Sequence, residues 1–235
     1  MNRRQFDAEP SSNFSEFIVM PDFEAARRAM VDGQLRGRGM LTDRVLDAMR
    51  RVPRHAFVPG ELDVYAYADS PLPIGEHQTI SQPFVVALMT QAAAPSQSAR
   101  VLEIGTGSGY GAAVLAELAS HVDTIERIDT LALHARRVLA ELGYTQIDVH
   151  IGDGTLGLPD HAPFDAIVVT ASGPTVPDVL ARQLAIGGRL VIPVGLDPDY
   201  QRLVRVTRRS DAVFDRDDLG GVQFVPLIGA HGWSC

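Results

Sequence analysis

The fold of the chain can be inferred from one stretch, Arg100-Val101-Leu102-Glu103-Ile104-Gly105-Thr106-Gly107-Ser108-Gly109-Tyr110. Its first half is an apolar run typical of a strand, and its three alternate glycines lead into an Ala- and Leu-rich segment, residues 112–118. Glycines let the chain turn sharply and let a ligand approach bare backbone, with the amides of the helix N-terminus directed at it. The stretch therefore predicts a strand, a ligand-binding turn and a helix.

An acidic residue stands at an informative distance from this turn. Glu126 follows Gly107 by 19 residues and ends the next apolar run, residues 122–125. At the end of a second strand, a carboxylate can accept hydrogen bonds from both ribose hydroxyls of a nucleoside. Without such an acid, the turn could equally be a structural one.

The basic residues narrow the choice of nucleoside. The chain contains no lysine, and all 21 basic residues are arginine. This excludes phosphate-loop nucleotidases, Schiff-base enzymes and dehydrogenases that depend on a catalytic lysine. The G-x-G-x-G spacing also departs from the G-x-G-x-x-G of dinucleotide sites. We therefore expect S-adenosylmethionine as the cofactor, in preference to NAD or ATP.

Composition limits the possible partners and the compartment. A chain of 235 residues with 46% hydrophobic residues is long enough for one large domain with a substantial core. Its net charge of −8 argues against nucleic acid or an anionic membrane as the main partner. No secretory signal is visible, and the single cysteine, Cys235, allows no internal disulfide. We expect a cytoplasmic, monomeric protein.

The chain divides into a leader and one domain. Residues 1–21 are polar and unpatterned and are expected to be flexible; residues 22–235 are expected to form a single domain. Within it, residues 22–95 form a helical segment on the substrate side, in which Asp22 and Thr42 are predicted helix caps. The dense arginines of this segment are interpreted as a solvated face, with contacts to an acidic peptide as the alternative.

The remainder alternates strands and helices, which predicts a doubly wound, mostly parallel sheet, an α/β fold of the Rossmann-like class. Residues 96–195 form this cofactor-binding core, with a helix capped by Asp129 and closed by Gly143. Residues 196–235 are predicted to be a hairpin and tail, in which strands at residues 203–207 and 222–227 flank a polar turn, residues 210–221.

Two further motifs are open to a structural and a functional interpretation. Asp153 and Gly154 follow a predicted strand, residues 147–151, where the aspartate could contact an adenine amine or only stabilise the turn. Thr79 and Ser81 lie in a polar run ahead of a predicted helix, residues 84–93. Ser81 could cap that helix or donate a hydrogen bond to an anionic substrate.

Other chemistries lack support in the sequence. None of the seven histidines belongs to a metal-binding motif, and no metal site is predicted. Ser108 does not stand in a G-x-S-x-G frame, so a serine hydrolase is not indicated.

Residues 26–227 resemble the protein-L-isoaspartate O-methyltransferase family of class I methyltransferases. The stretches that carry this resemblance are Met30-Val31 with Gln34-Leu35, Val52-Pro53-Arg54 with Phe57-Val58-Pro59, residues 71–75, Gln78-Thr79-Ile80-Ser81-Gln82-Pro83, residues 103–110, Glu126-Arg127, Gly152-Asp153-Gly154, residues 164–170, residues 187–195, and Phe224-Val225-Pro226-Leu227. The glycine turn is typical of all class I methyltransferases, whereas Thr-Ile-Ser-Gln-Pro is typical of this family.

The resemblance implies methyl transfer from S-adenosylmethionine to the free α-carboxylate of L-isoaspartyl residues in damaged proteins or peptides, with S-adenosylhomocysteine as the product. It places Ser81 at the active site, assisted by Thr79, and implies a rearrangement of the last strands. The implied cofactor-binding residues are Glu103, Gly105, Thr106, Gly107, Ser108, Gly109, Glu126, Asp153 and Gly154.

Some residues depart from the family pattern. A larger side chain is expected where Gly111 stands, and Ser172 and Gly173, expected to border the substrate cleft, could alter the substrate range. Two alternatives therefore remain: a carboxyl methyltransferase for another peptide or a small acid, and a module that binds the cofactor without catalysis.

Overall fold

The alternating strands assemble into one seven-stranded sheet in the computed structural model, which describes residues 21–38, 41–197 and 200–234. Its strands are β3 (Arg100–Ile104), β4 (His121–Glu126), β5 (Ile147–Ile151), β6 (Phe164–Val169), β7 (Leu184–Asp197), β8 (Tyr200–Arg208) and β9 (Phe214–Val222). They lie in the order β5-β4-β3-β6-β7-β8-β9; the first five of this order run parallel, and β8 and β9 are antiparallel additions. The predicted doubly wound α/β fold is confirmed.

Helices cover both faces of this sheet. They are α1 (Phe23–Ala29), extended by a π-helical segment (Met30–Leu35), α2 (Asp43–Arg51), α3 (Pro83–Ala93), α4 (Tyr110–Ala116), α5 (Asp129–Glu141) and α6 (Asp178–Arg182). Alternate residues of β3 enter different cores: Val101 packs with Ala112 of α4, whereas Leu102 packs with Leu180 of α6. Burial on both faces explains why the central strands are almost continuously apolar. None of the described helices is both long and apolar enough to cross a membrane.

The N-terminal segment contains an element that the sequence did not predict. A small antiparallel hairpin joins β1 (Leu72–Gly75) to β2 (Gln78–Ile80) and leads directly into α3. The predicted leader, residues 1–21, lies outside the described residues except for Pro21. The division into a leader and one domain remains a prediction.

Three predicted caps have different outcomes. The Asp22 carboxylate accepts a hydrogen bond from Ala25 N at 2.9 Å, which confirms the cap of α1. Thr42 stands at the start of α2, but its hydroxyl donates to Gln91 Oε1 of α3, so the predicted side-chain cap is wrong. Asp129 is the first residue of α5 rather than its cap, while Gly143, with φ +81°, ends that helix as predicted.

The terminal hairpin forms, but its second strand is not the predicted one. Most of the predicted polar turn is β9, whereas residues 223–227 form only an isolated bridge, between Ser172 and Pro226. β9 is an edge strand whose charged residues pair with β8 across the ladder, as in Arg202–Asp218 and Arg205–Asp217. Charges on an edge strand discourage pairing with other chains, and they hide the strand from a search for apolar alternation.

Candidate active site

The glycine turn connects β3 to α4 and has the conformation that glycine permits. Gly105, Gly107 and Gly109 have φ values of +93°, +52° and +92°. At Gly105 a β-carbon would also collide with Thr170 Oγ1, which donates a 2.7 Å hydrogen bond to the Gly105 carbonyl. The turn therefore places bare main chain at the carboxyl edge of the sheet, where open α/β sheets bind ligands.

Glu126 lies beside this turn and is hydrogen-bonded to it. It is the last residue of β4, and its side chain is almost fully buried. Its Oε2 accepts a hydrogen bond from Gly107 N at 2.9 Å, and its Oε1 accepts one from Ile128 N at 3.0 Å. The two amides fix the carboxylate in place, and each oxygen keeps a lone pair that can accept a hydrogen bond from a ligand hydroxyl.

Glu103 lies beneath the turn in a chain of hydroxyl groups. The Thr124 hydroxyl donates to Glu103 Oε2 at 2.7 Å and is itself 2.7 Å from Thr106 Oγ1. Burial raises the pKa of Glu103 to about 8, because the hydrogen bond from Thr124 only partly offsets the loss of solvation and the Glu126 carboxylate opposes ionisation. Glu103 therefore holds a proton at neutral pH.

The Asp153 carboxylate is held by hydrogen bonds from Thr155 and from the C-terminal segment. Its Oδ1 accepts hydrogen bonds from the amide and hydroxyl of Thr155, at 2.9 and 2.6 Å, and its Oδ2 accepts one from Ala230 N at 2.8 Å. Burial raises the pKa of Asp153, but the hydrogen bonds from Ala230 and Thr155 outweigh it, so the pKa lies below its ordinary value. Gly154, not Asp153, lines the cavity. The contact of Asp153 with adenine remains a prediction. The adenine amine would have to donate to a lone pair that Thr155 and Ala230 leave unused.

Ser81 does not cap α3. The residue before the helix is Gln82, and the α3 amide of Phe84 donates to Asp69 Oδ1 at 2.9 Å. Asp69 Oδ2 also accepts a hydrogen bond from Gln82 Nε2, which fixes the start of the helix. Among the described residues, none forms a hydrogen bond with the Ser81 hydroxyl, so it is available to a ligand. The capping interpretation of Ser81 is wrong.

One cleft joins these groups. It encloses about 830 Å³, including its open mouth. The predicted site residues that line it are Thr79, Ser81, Glu103, Gly105, Thr106, Gly107, Ser108, Glu126 and Gly154. The mixture of fixed acceptors, bare main chain and apolar walls such as Ile125 and Ile128 suits a nucleoside carrying a charged tail.

A second opening meets this cleft at the predicted catalytic hydroxyls. A surface groove runs past Arg38, Phe84 and Gln223, and Thr79, Ser81 and Val225 line both the groove and the cleft. A molecule lying in the groove could therefore present one group to a ligand held in the cleft, with Ser81 beside the point of contact.

Some lining residues were not predicted as site residues. Thr170, Ala171 and residues 225–228 also line the cleft. Ser172 and Gly173, expected at the substrate cleft, do not line it. Ser172 is buried, and its carbonyl accepts hydrogen bonds from Leu227 N and from Trp233 Nε1 at 2.8 and 2.9 Å. Ser172 thus holds the C-terminal segment, while Gly173 exchanges hydrogen bonds with Pro193 and Gly195 of β7.

Comparisons with known proteins identify the family of this chain. The sequence profile of the family "Protein-L-isoaspartate(D-aspartate) O-methyltransferase (PCMT)" matches residues 25–232. A protein-L-isoaspartate O-methyltransferase of Rhodopseudomonas palustris is 58% identical over 205 residues, 87% of this chain and 94% of the relative. One of Syntrophus aciditrophicus is 54% identical over 218 residues, 92% of this chain and all of the relative.

Solved structures share the fold. A protein-L-isoaspartate O-methyltransferase superimposes with a TM-score of 0.77 at 28% identity and covers 89% of this chain and 67% of its own. A Plasmodium falciparum protein-L-isoaspartate O-methyltransferase in complex with S-adenosyl-L-homocysteine has a TM-score of 0.75 at 24% identity, with coverage of 86% and 98%. Because the profile spans nearly the whole chain and the sequence relatives exceed half identity, the chain belongs to the protein-L-isoaspartate(D-aspartate) O-methyltransferase family.

Proposed function

We propose that the protein transfers a methyl group from S-adenosylmethionine to the free α-carboxylate of L-isoaspartyl residues in damaged proteins or peptides. One observation carries this proposal: Thr79 and Ser81 stand where the cleft meets the surface groove. The names of the sequence relatives give the acceptor class, and the groove gives a polypeptide acceptor a place to lie.

The residues of the cleft fit the cofactor. Gly105 and Gly107 present bare backbone, Glu126 accepts hydrogen bonds from the ribose hydroxyls, and Gly154 makes room for the adenine beside Asp153. Ser108 and Thr106 complete the turn, with Glu103 below it. When bound, S-adenosylmethionine supplies an electrophilic methyl group on a positively charged sulfur.

The acceptor requires little catalytic machinery. A main-chain carboxylate has a pKa of about 3.5 and is already ionised at neutral pH, so no general base is needed. The protein must instead hold the carboxylate in line with the methyl group and remove water from both charges. Ser81 donates a hydrogen bond that orients the carboxylate, and Thr79 assists it. Neither residue acts as a nucleophile.

Two synthetic peptides that differ only in an aspartyl or isoaspartyl linkage test the proposal. Labelled S-adenosylmethionine should yield a base-labile methyl ester on the isoaspartyl peptide alone. Transfer to both peptides, or to a small acid instead, would favour another carboxyl acceptor. Cofactor binding without transfer to any acid would favour a non-catalytic module and overturn the proposal.

The setting of this activity is proposed on composition. An acidic chain with one cysteine suits a reducing cytoplasm, and a monomer suits a substrate site built within one chain. We propose neither nucleic acid nor membrane as a partner. Gel filtration with light scattering measures the oligomeric state.

A further inference from the structure

Three histidines converge on one buried aspartate outside the cleft. Asp123 lies in β4 and its side chain is fully buried. His150 Nε2 lies 2.8 Å and His161 Nδ1 2.9 Å from Asp123 Oδ1. The two histidines come from β5 and from the turn before β6, 27 and 38 residues further along the chain. Because such spacings match no motif, the sequence predicts no metal site here.

Two further side chains, those of His121 and Asp148, adjoin the group of Asp123, His150 and His161. His121 Nε2 lies 3.7 Å from Asp123 Oδ2 and 3.4 Å from Asp148 Oδ2. The side chains of His121, His150 and His161 are 32%, 28% and 40% exposed, so the cluster opens to solvent on one side. An ion could enter from that side.

The buried carboxylate is only half satisfied. Asp123 Oδ2 is buried and makes no hydrogen bond with any described residue, and its nearest basic neighbour besides His121 is Arg100, at 4.0 Å. An orphaned carboxylate oxygen costs free energy in a protein interior, whereas a carboxylate that coordinates a cation is well placed there. The unpartnered oxygen therefore points to a cation among these side chains.

We propose that Asp123, His150 and His161 bind one divalent transition-metal ion, of the class of Zn²⁺. The ligand atoms of this group all lie within 4.8 Å of one another. Imidazole and carboxylate ligands suit Zn²⁺, whereas Mg²⁺ and Ca²⁺ prefer oxygen ligands alone. Zinc ligands about 2.1 Å from the ion stand roughly 3.4 Å apart in a tetrahedron, so each ring moves by about half an ångström. His121 or a water completes the set.

The ion stabilises the sheet and takes no part in methyl transfer. Asp123 and Glu126 are three residues apart on β4, roughly 10 Å, and their side chains alternate to opposite faces. None of the ligand residues lines the cleft. An ion held by all three crosslinks β4, β5 and the turn at Pro159–His161, and binding to the folded state alone raises the thermal midpoint of unfolding.

Titration of the untagged Cys235→Ser protein with Co²⁺ and Zn²⁺ tests this site, since the substitution removes the one thiol that could bind either ion. We expect one equivalent of Co²⁺ to produce the visible absorption of a tetrahedral centre, Zn²⁺ to displace it, and Zn²⁺ but not Mg²⁺ to raise the thermal midpoint. The variants His150→Ala and His161→Ala should each weaken binding at least about tenfold. His134→Ala, which removes an exposed histidine of α5, should not.

Two results would overturn the proposal. One is the absence of saturable Zn²⁺ binding by the parent protein at neutral pH. The other is equal binding by His161→Ala and the parent, with circular dichroism and binding of S-adenosylhomocysteine showing that the variant is folded. If His161→Ala does not fold, His161→Gln answers the same question, because its side chain retains bulk but loses the imidazole ligand.

Discussion

Glu103 occupies the space that a side chain at position 111 would need. A β-carbon on Gly111 would approach Glu103 Oε1 more closely than the 3.0 Å below which real β-carbons almost never come. The other oxygen, Oε2, is held by the Thr124 hydroxyl at 2.7 Å, so the carboxyl group cannot turn away freely. The glycine of α4 therefore makes room for a buried acid of β3.

The substitution Gly111→Ala should therefore disturb the cleft. Overpacking typically costs about 1–3 kcal/mol, and alanine in a helix returns about 1 kcal/mol, so we expect a net loss of about 1 kcal/mol in the free energy of unfolding. Binding of S-adenosylhomocysteine should weaken as Glu103 is displaced. Urea denaturation and calorimetric titration measure both effects.

Gly33→Ala is the matched control. Gly33 lies in the π-helical segment, and a β-carbon there would have no heavy atom within 4 Å. We expect its stability to be unchanged or slightly higher. Equal behaviour of the two variants would show that the contact between Gly111 and Glu103 does not matter.

Glu103 should also give the protein a characteristic dependence on pH. Burial raises its pKa from 4.5 to about 8, so the native state keeps a proton that the unfolded chain has released. The contribution of Glu103 to stability is therefore full below about pH 4.5 and is lost progressively up to about pH 8. Glu103→Gln keeps the acceptor for Thr124 but cannot ionise. We expect the variant to gain stability relative to the parent across this interval.

Denaturation curves at several pH values measure that difference. Glu141→Gln is the control, since Glu141 is exposed on α5 and should leave the profile of the parent unchanged. Parallel profiles of Glu103→Gln and the parent would mean that Glu103 is already ionised at neutral pH.

The sequence predicted the elements whose information is local. The bounds of β5 match the prediction, and β4 ends at Glu126 as expected, because apolar strands and glycine turns are defined by neighbouring residues. The cap of α3 was missed because Asp69 lies 15 residues before the amide of Phe84 that it accepts from. β9 was missed because charge pairs with β8, not apolar alternation, define it.

In the site, too, the sequence predicted the residues at the strand ends but not those brought in from distant parts of the chain. Gly105, Gly107 and Glu126 all line the cleft, and the sequence placed them together through the strand ends, whereas Gly109 lies against Leu139 of α5 and does not line it. The role of the C-terminal segment was not visible, because Leu227 reaches the cleft through pairing with Ser172, far away along the chain. Contacts between distant segments, as in the cluster around Asp123, depend on the fold itself.

The substitution Glu126→Gln tests the predicted ribose contact. Each carboxylate oxygen accepts one main-chain amide, from Gly107 and from Ile128, and a glutamine would place its own NH₂ group against one of them. Losing hydrogen bonds to a charged acceptor should lower the affinity for S-adenosylhomocysteine roughly tenfold to hundredfold. Calorimetric titration measures this, and Glu141→Gln again serves as control. Unchanged affinity would exclude Glu126 from the nucleoside site.

The substitution Ser81→Ala separates orientation of the acceptor from binding of the cofactor. The Ser81 hydroxyl has no partner among the described residues and stands where the cleft meets the groove, so its removal leaves no buried group of the protein unpaired. A hydrogen bond to a charged acceptor contributes about 1.5–3 kcal/mol, which predicts a loss of roughly tenfold to hundredfold in kcat/KM for the isoaspartyl peptide. Affinity for S-adenosylhomocysteine should stay the same.

Ser98→Ala, which removes a surface hydroxyl 3.2 Å from Ser96 Oγ, should change neither quantity. If Ser81→Ala methylates the peptide with the kcat and KM of the parent, another group orients the carboxylate, and Thr79→Val is the next variant to measure.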